Sequence, residues 1–236
     1  MSLLDSSFWD VFVASFNPDI WKELWKPIGD TIYMTTVSSL IMLVFGLVIG
    51  IFLTAANPDG LVPLKVSYQV SGWIINCLRS LPQMIMIILM IPVARLFFGK
   101  AYGTNACIIA IAASCIPMYA RIVESSLLEI EKGKIEAALS MGSSNLNIIF
   151  RIILPETLPS LIRGFTVSVI SVLSMTALAG MFGAGGIGDI AVRYGYQRFQ
   201  HDRLFACVYI LILLVQLIQG IGNLISKQIL KTRNLV

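Results

Sequence analysis

The sequence predicts an all-α integral membrane protein with five transmembrane helices and one long helical loop outside the bilayer. The chain is 57% hydrophobic and only 13% charged over its 236 residues. Soluble domains average about 25% charged residues, so this chain cannot cover a compact fold with polar surface. Five stretches are apolar over about 20 residues, the helical length that crosses a bilayer core of about 30 Å. The connection between the third and fourth stretches is long and polar, and it gathers Glu124, Glu129, Glu131, Glu136 and Glu156.

Residues 1–30 read as a separate amphipathic piece. Phe8, Trp9, Phe12, Val13 and Phe16 recur at helical spacing, and so do Trp21, Leu24, Trp25 and Ile28. One or two helices lying in the membrane interface, with Trp at headgroup depth, account for that pattern. Asp5 and Asp10 interrupt what would be the apolar part of a cleavable signal peptide, so none is expected.

The transmembrane domain covers residues 31–226, with spans at about 31–56, 70–97, 102–119, 161–182 and 204–225. Asn57-Pro58-Asp59-Gly60 ends the first span with strong turn chemistry. Arg79 and Arg95 flank the apolar run of the second, about 24 Å apart on a helix, and can snorkel to opposite interfaces. Pro82 is expected to kink that span. Residues 227–236 form a basic tail with Lys227, Lys231 and Arg233.

Several function classes are excluded. The net charge of +4 is scattered, without the basic runs or aromatic interleaving of a nucleic-acid groove. The four cysteines lie singly inside apolar stretches and there is one histidine, so no metal site and no disulfide framework is expected. Gly183-Ala184-Gly185-Gly186-Ile187-Gly188 is not a dinucleotide fingerprint, because a membrane helix precedes it instead of a strand. Its glycines suit a tight turn back toward the membrane.

The loop at about 120–160 reads as short helices outside the membrane. Residues 121–131 extend the third span. Residues 135–141 make a short helix, with Gly142 at its C′ position. Ser143 or Ser144 can cap the next helix, whose apolar face is Leu146, Ile149, Phe150 and Ile153. Pro155 and Pro159 are expected to break the chain before the fourth span.

Within this loop Glu136-Ala137-Ala138, Gly142, Ile152 and Leu154-Pro155 fall at fixed spacings. The pattern resembles the signature loop of ATP-binding-cassette importer permeases. Arg79-Ser80-Leu81-Pro82, Ile91 through Arg95 and Gly185 through Phe199 resemble the methionine-uptake subfamily. Gln83 and the run Leu173-Ser174-Met175-Thr176 depart from that subfamily's pattern.

The resemblance implies a type I importer permease fold in a prokaryotic inner membrane. Glu136, Ala137, Ala138, Gly142, Leu154 and Pro155 would then couple the chain to a cytoplasmic ATP-binding subunit, with ATP and magnesium held by that partner. The chain itself would have no catalytic residue. An extracellular solute-binding protein would deliver methionine or a related amino acid, and Arg193, Tyr194, Tyr196 and Arg198 are the candidate contacts for it. Another amino acid or a short peptide is the alternative cargo, and a non-transporting scaffold or channel is the alternative role. A cytoplasmic loop places the N-terminus outside and the C-terminus inside. The basic residues agree, ten inside against seven outside, out of 17. One loop per chain against two ATPase clefts implies two copies, as a homodimer or with a related chain. Ser168, Ser171 and Met175 share one face of the fourth span and, with Gln83, are candidate pathway residues; ordinary helix packing is the other reading of that face.

Overall fold

The structure is a computed structural model that describes residues 8–100 and 102–232. The readings placed on Asp5 and Arg233 lie outside these residues. Ten α-helices in chain order and two π-helical turns account for the regular structure, and no strand occurs among the described residues. The helices are α1 (Phe8–Ala14), α2 (Pro18–Ala56), α3 (Lys65–Ser80), α4 (Gln83–Phe98), α5 (Thr104–Leu127), α6 (Lys132–Ser140), α7 (Asn145–Ile148), α8 (Leu154–Gly180), α9 (Gly186–Ile190) and α10 (His201–Thr232). The π turns are Ile149–Ile153 and Ala191–Tyr196. Four helical runs are long and apolar enough to cross a membrane, and α3 with α4 makes a fifth if the pair forms one span.

Three boundaries differ from the sequence reading, each for a physical reason. The helix that carries the first span begins well before residue 31: α2 runs unbroken for 39 residues from Pro18 and carries Pro27 inside it. Its early part is held by protein contacts: Ile20 and Leu24 are buried with Ile187, Ala206, Cys207 and Ile210. The second span is broken at Leu81-Pro82 instead of kinked. Both residues are extended, with ψ of 131° and 134°, as expected when proline withholds its N–H and forces the preceding residue out of the helical region. The fourth span is not preceded by a proline break either. Helix α8 contains both Pro155 and Pro159, and Pro155 sits in its first turn, where a proline is tolerated.

The chain divides into two compact units. The first comprises Met1–Leu40, Pro82–Ser114 and Val169–Ile218. Its core is the cluster around Ile20, Leu24 and Cys207, extended by Phe12 and Phe16 against the ring of Tyr209 at 5.9 and 5.5 Å. Part of the amphipathic piece's apolar stripe thus packs on the chain's own helices, while Trp9, Val13, Phe16 and Trp25 stay 67%, 67%, 54% and 71% exposed. The second unit comprises Ile41–Leu81, Cys115–Ser168 and Gln219–Val236. Small residues let its helices approach closely, the usual device where lipid offers no hydrophobic drive. A Cβ on Gly46 would lie 2.6 Å from the Tyr119 ring, and one on Gly50 would lie 2.5 Å from Val123. Gly222 meets Thr166 in the same way.

Candidate functional site: the loop between the third and fourth spans

Helix α6 forms the outer turn of this loop, and local chemistry ends it sharply. Gly142 has φ +77°, a left-handed conformation that favours glycine. Its N–H donates to the Leu139 carbonyl at 2.9 Å, and the Ser143 N–H donates to the Ala138 carbonyl at 3.1 Å. These two bonds are a Schellman motif, which satisfies carbonyls the helix would otherwise leave open. Of the two serines proposed as caps, Ser144 serves: its hydroxyl accepts from the Asn147 N–H at 3.4 Å.

From Asn145 onward the chain is helical without a gap to Gly180, a run of 36 residues. Helix α7 passes through the π turn Ile149–Ile153 directly into α8. The loop's second helix therefore runs on into the fourth span without a gap, through a wider turn of the kind often found at working positions in helices.

The signature residues occupy distinct surroundings. Ala138 is 1% exposed and packs inward, whereas Ala137 and Glu136 are exposed. Leu154 and Pro155 are half-buried at the start of α8. Glu136 shares a face of α6 with Ile135 and Leu139, and these line a cavity of about 400 Å³ with Ile51, Leu127 and Ile153. Lys134 fastens α6 to the first turn of α8 through Glu156 Oε1, 2.6 Å away. That hydrogen bond pushes the Lys134 ammonium above its ordinary pKa. Asn145 Nδ2 donates to the Leu61 carbonyl at 3.4 Å, and the Ser160 hydroxyl donates to Glu129 at 2.5 Å. Met141, Leu146 and Phe150 are 78%, 68% and 60% exposed, an apolar display at the Gly142 turn and the start of the helical run that follows it.

The glycine-rich segment 183–200 belongs to the other unit. Gly183, Gly185 and Gly186 have positive φ, and the Thr31 hydroxyl accepts from the Ile187 N–H at 2.9 Å. Among the residues proposed to meet a binding protein, Arg193 donates to Asp189 at 2.8 Å, and Arg198 lies over the Tyr194 ring at 4.6 Å. Tyr196 is 74% exposed. Sequence reasoning did not find Arg203, which lies over the same Tyr194 ring and pairs with Glu23 of α2. Of the pathway candidates, Gln83 is exposed and Ser171 half-buried, whereas Ser168 and Met175 are 1% and 0% exposed. The Ser168 hydroxyl donates to the Gly164 carbonyl of its own helix at 2.8 Å.

Long apolar helices, with the glycine-capped helix α6 between two of them, define a multi-pass membrane protein and fit a transport subunit. Residues 11–231 match the family described as binding-protein-dependent transport system inner membrane component, and the chain belongs to that family. It is 36% identical over 199 residues to the probable D-methionine transport system permease protein MetI of Vibrio cholerae, covering 84% of this chain and 88% of that one. It is 39% identical over 211 residues to the methionine import system permease protein MetP of Bacillus subtilis, covering 89% and 95%. A solved inward-facing structure of the MetNI methionine ABC transporter superposes with a TM-score of 0.87 at 34% identity, covering 90% of this chain and 98% of that one. The chain is accordingly a multi-pass permease, with the fold expected from its sequence.

Proposed function

We propose that this chain forms the passage for methionine or a closely related amino acid, and that a cytoplasmic ATP-binding subunit drives it through α6. The relatives named for methionine transport cover most of the chain at 36% and 39% identity, and this carries the substrate. The signature loop carries the coupling. A partner that grips exposed Ala137 and Glu136 would move α6, and the continuous helical run that starts at Asn145 would take that motion into the fourth span. ATP and magnesium belong to that partner in this reading. Two copies of the chain would present one loop to each of two ATPase subunits. An external binding protein would dock near Tyr194, Tyr196, Arg193 and Arg198, with the N-terminus outside and the C-terminus in the cytoplasm. Of the pathway candidates, Gln83 and Ser171, which are not fully buried in this chain, would face the solute in this reading.

Uptake of labelled methionine into proteoliposomes holding this chain, its ATPase and its binding protein tests the reading. Uptake should need ATP, and excess unlabelled methionine should abolish it. Uptake blocked by another amino acid or a short peptide, but not by methionine, would overturn the substrate and leave the importer standing.

A further inference from the structure

Helix α5 turns a charged pair inward near its end. Glu124 is 4% exposed. Its Oε2 accepts from Arg121 Nη1 at 2.6 Å, and its Oε1 accepts from the Tyr68 hydroxyl at 2.9 Å. Arg121 Nη2 donates to the Gly72 carbonyl at 3.0 Å. Two residues of α5 are thereby bound to two of α3, within one compact unit. Gly72 makes room for this arrangement, since a Cβ there would stand 2.9 Å from Nη2.

Stability alone does not explain such a cluster. Drawing two charges out of water costs about as much as their attraction returns, and well-packed apolar residues often do as well. Both charged residues lie in the last two turns of α5, where the third span runs out into the loop. Their place along the chain suggests the function. Glu124 is three residues before the end of α5, and α6 begins at Lys132. A pull on α6 that travels back along the chain passes the Glu129–Ser160 hydrogen bond and then meets this cluster.

We propose that Arg121, Glu124 and Tyr68 are positioning residues that make α3 follow α5 when the loop moves. The motion of the ATPase would then enter the second span as well as the fourth. This rests on α6 being the ATPase contact.

The test measures ATP hydrolysis and solute uptake in the same proteoliposomes, with the ATPase and binding protein present. Wild type is compared with Tyr68→Phe, Gly72→Ala and Gly142→Val. Tyr68→Phe removes one hydroxyl and keeps the charge pair; Gly72→Ala displaces the guanidinium without changing any charge. Both should assemble and hydrolyse ATP, yet move about three- to tenfold less solute per ATP, the range expected of residues along a coupling network. An unchanged ratio in both, beside a lowered ratio in Gly142→Val, overturns the clamp and leaves the loop reading intact. Loss of assembly in both, beside intact assembly of Gly142→Val, shows a purely structural role and also overturns it. An unchanged ratio in Gly142→Val removes the loop reading and the clamp together.

Discussion

Glycines mark both the loop after α6 and the segment at the end of α8, and Gly142 is needed for a different reason from Gly180 and Gly188. At Gly142 the space is open, with nothing within 4 Å of an added Cβ, and only the backbone angle demands glycine. At Gly180 and Gly188 the space is closed. A Cβ on Gly188 would run into the Ala177 main chain, and one on Gly180 into the Asp189 amide. Main-chain atoms cannot step aside as a flexible side chain does. The contrast teaches what each segment is for. The α6 turn is set by its own local geometry and sits on the surface, so it can be gripped and moved as a piece. The 180–188 turn is set by contact with a helix, so it is fixed in place within its unit.

The sharpest way to break the comparison is to fill the closed site. Gly188→Val should leave little folded protein, because the overlap with backbone exceeds the roughly 1–3 kcal/mol of ordinary overpacking. Size-exclusion yield of the detergent-solubilised chain measures this; a wild-type yield would mean the turn is not packed as described. Gly142→Val should behave differently. Left-handed strain costs about 1–2 kcal/mol at one residue, so insertion and yield should persist while uptake and substrate-stimulated ATP hydrolysis fall. Uptake at the wild-type rate would contradict the Schellman turn as a coupling element.

How much of this was legible in the sequence follows the same division. The α6 helix, its Gly142 stop and the serine cap of α7 were readable because neighbours within a few residues make them. The helical period of the amphipathic piece was legible too. A stripe cannot say how much of it protein covers; here Ile20, Leu24 and Phe16 meet Cys207, Ile210 and Tyr209, while Trp9, Val13 and Trp25 stay exposed. The break at Pro82 was legible as a disturbance and not in degree, since a proline kink and a full break share one sequence signal. Arg121 and Glu124, spaced i, i+3 at the end of a span, carried a signal that was passed over. That Tyr68 and Gly72 complete the pair depends on residues about fifty positions away.

A smaller effect should follow from the 180–188 side. Thr31→Val removes the acceptor for the buried Ile187 N–H and should lower stability by about 1–3 kcal/mol, the cost of an unsatisfied buried donor. A thermal melt of the purified chain checks it; an unchanged Tm would show that the bond does not anchor the turn.

The smallest effect concerns the tether between Lys134 and Glu156. Its partners are 46% and 40% exposed, so Lys134→Met should barely change stability while loosening α6 locally. Hydrogen exchange over residues 132–140 should quicken relative to the rest of the chain. Because the partner raises the Lys134 pKa, the lysine's contribution is fully present at neutral pH. It is lost only as pH rises through that raised value. Exchange in α6 that quickened already between neutral and mildly alkaline pH, beyond the intrinsic increase, would contradict the tether.

The central claim is that α6 is where the driving partner takes hold. A single cysteine placed at exposed Ala137, in a background lacking Cys77, Cys107, Cys115 and Cys207, tests it most directly. With the assembled ATPase present, a short thiol-reactive crosslinker should join Ala137→Cys to the ATPase subunit, with a yield that changes when ATP is added. A cysteine at exposed Tyr196 should give no such product. Equal crosslinking from Tyr196→Cys, or none from Ala137→Cys in a complex that still hydrolyses ATP, would contradict the account.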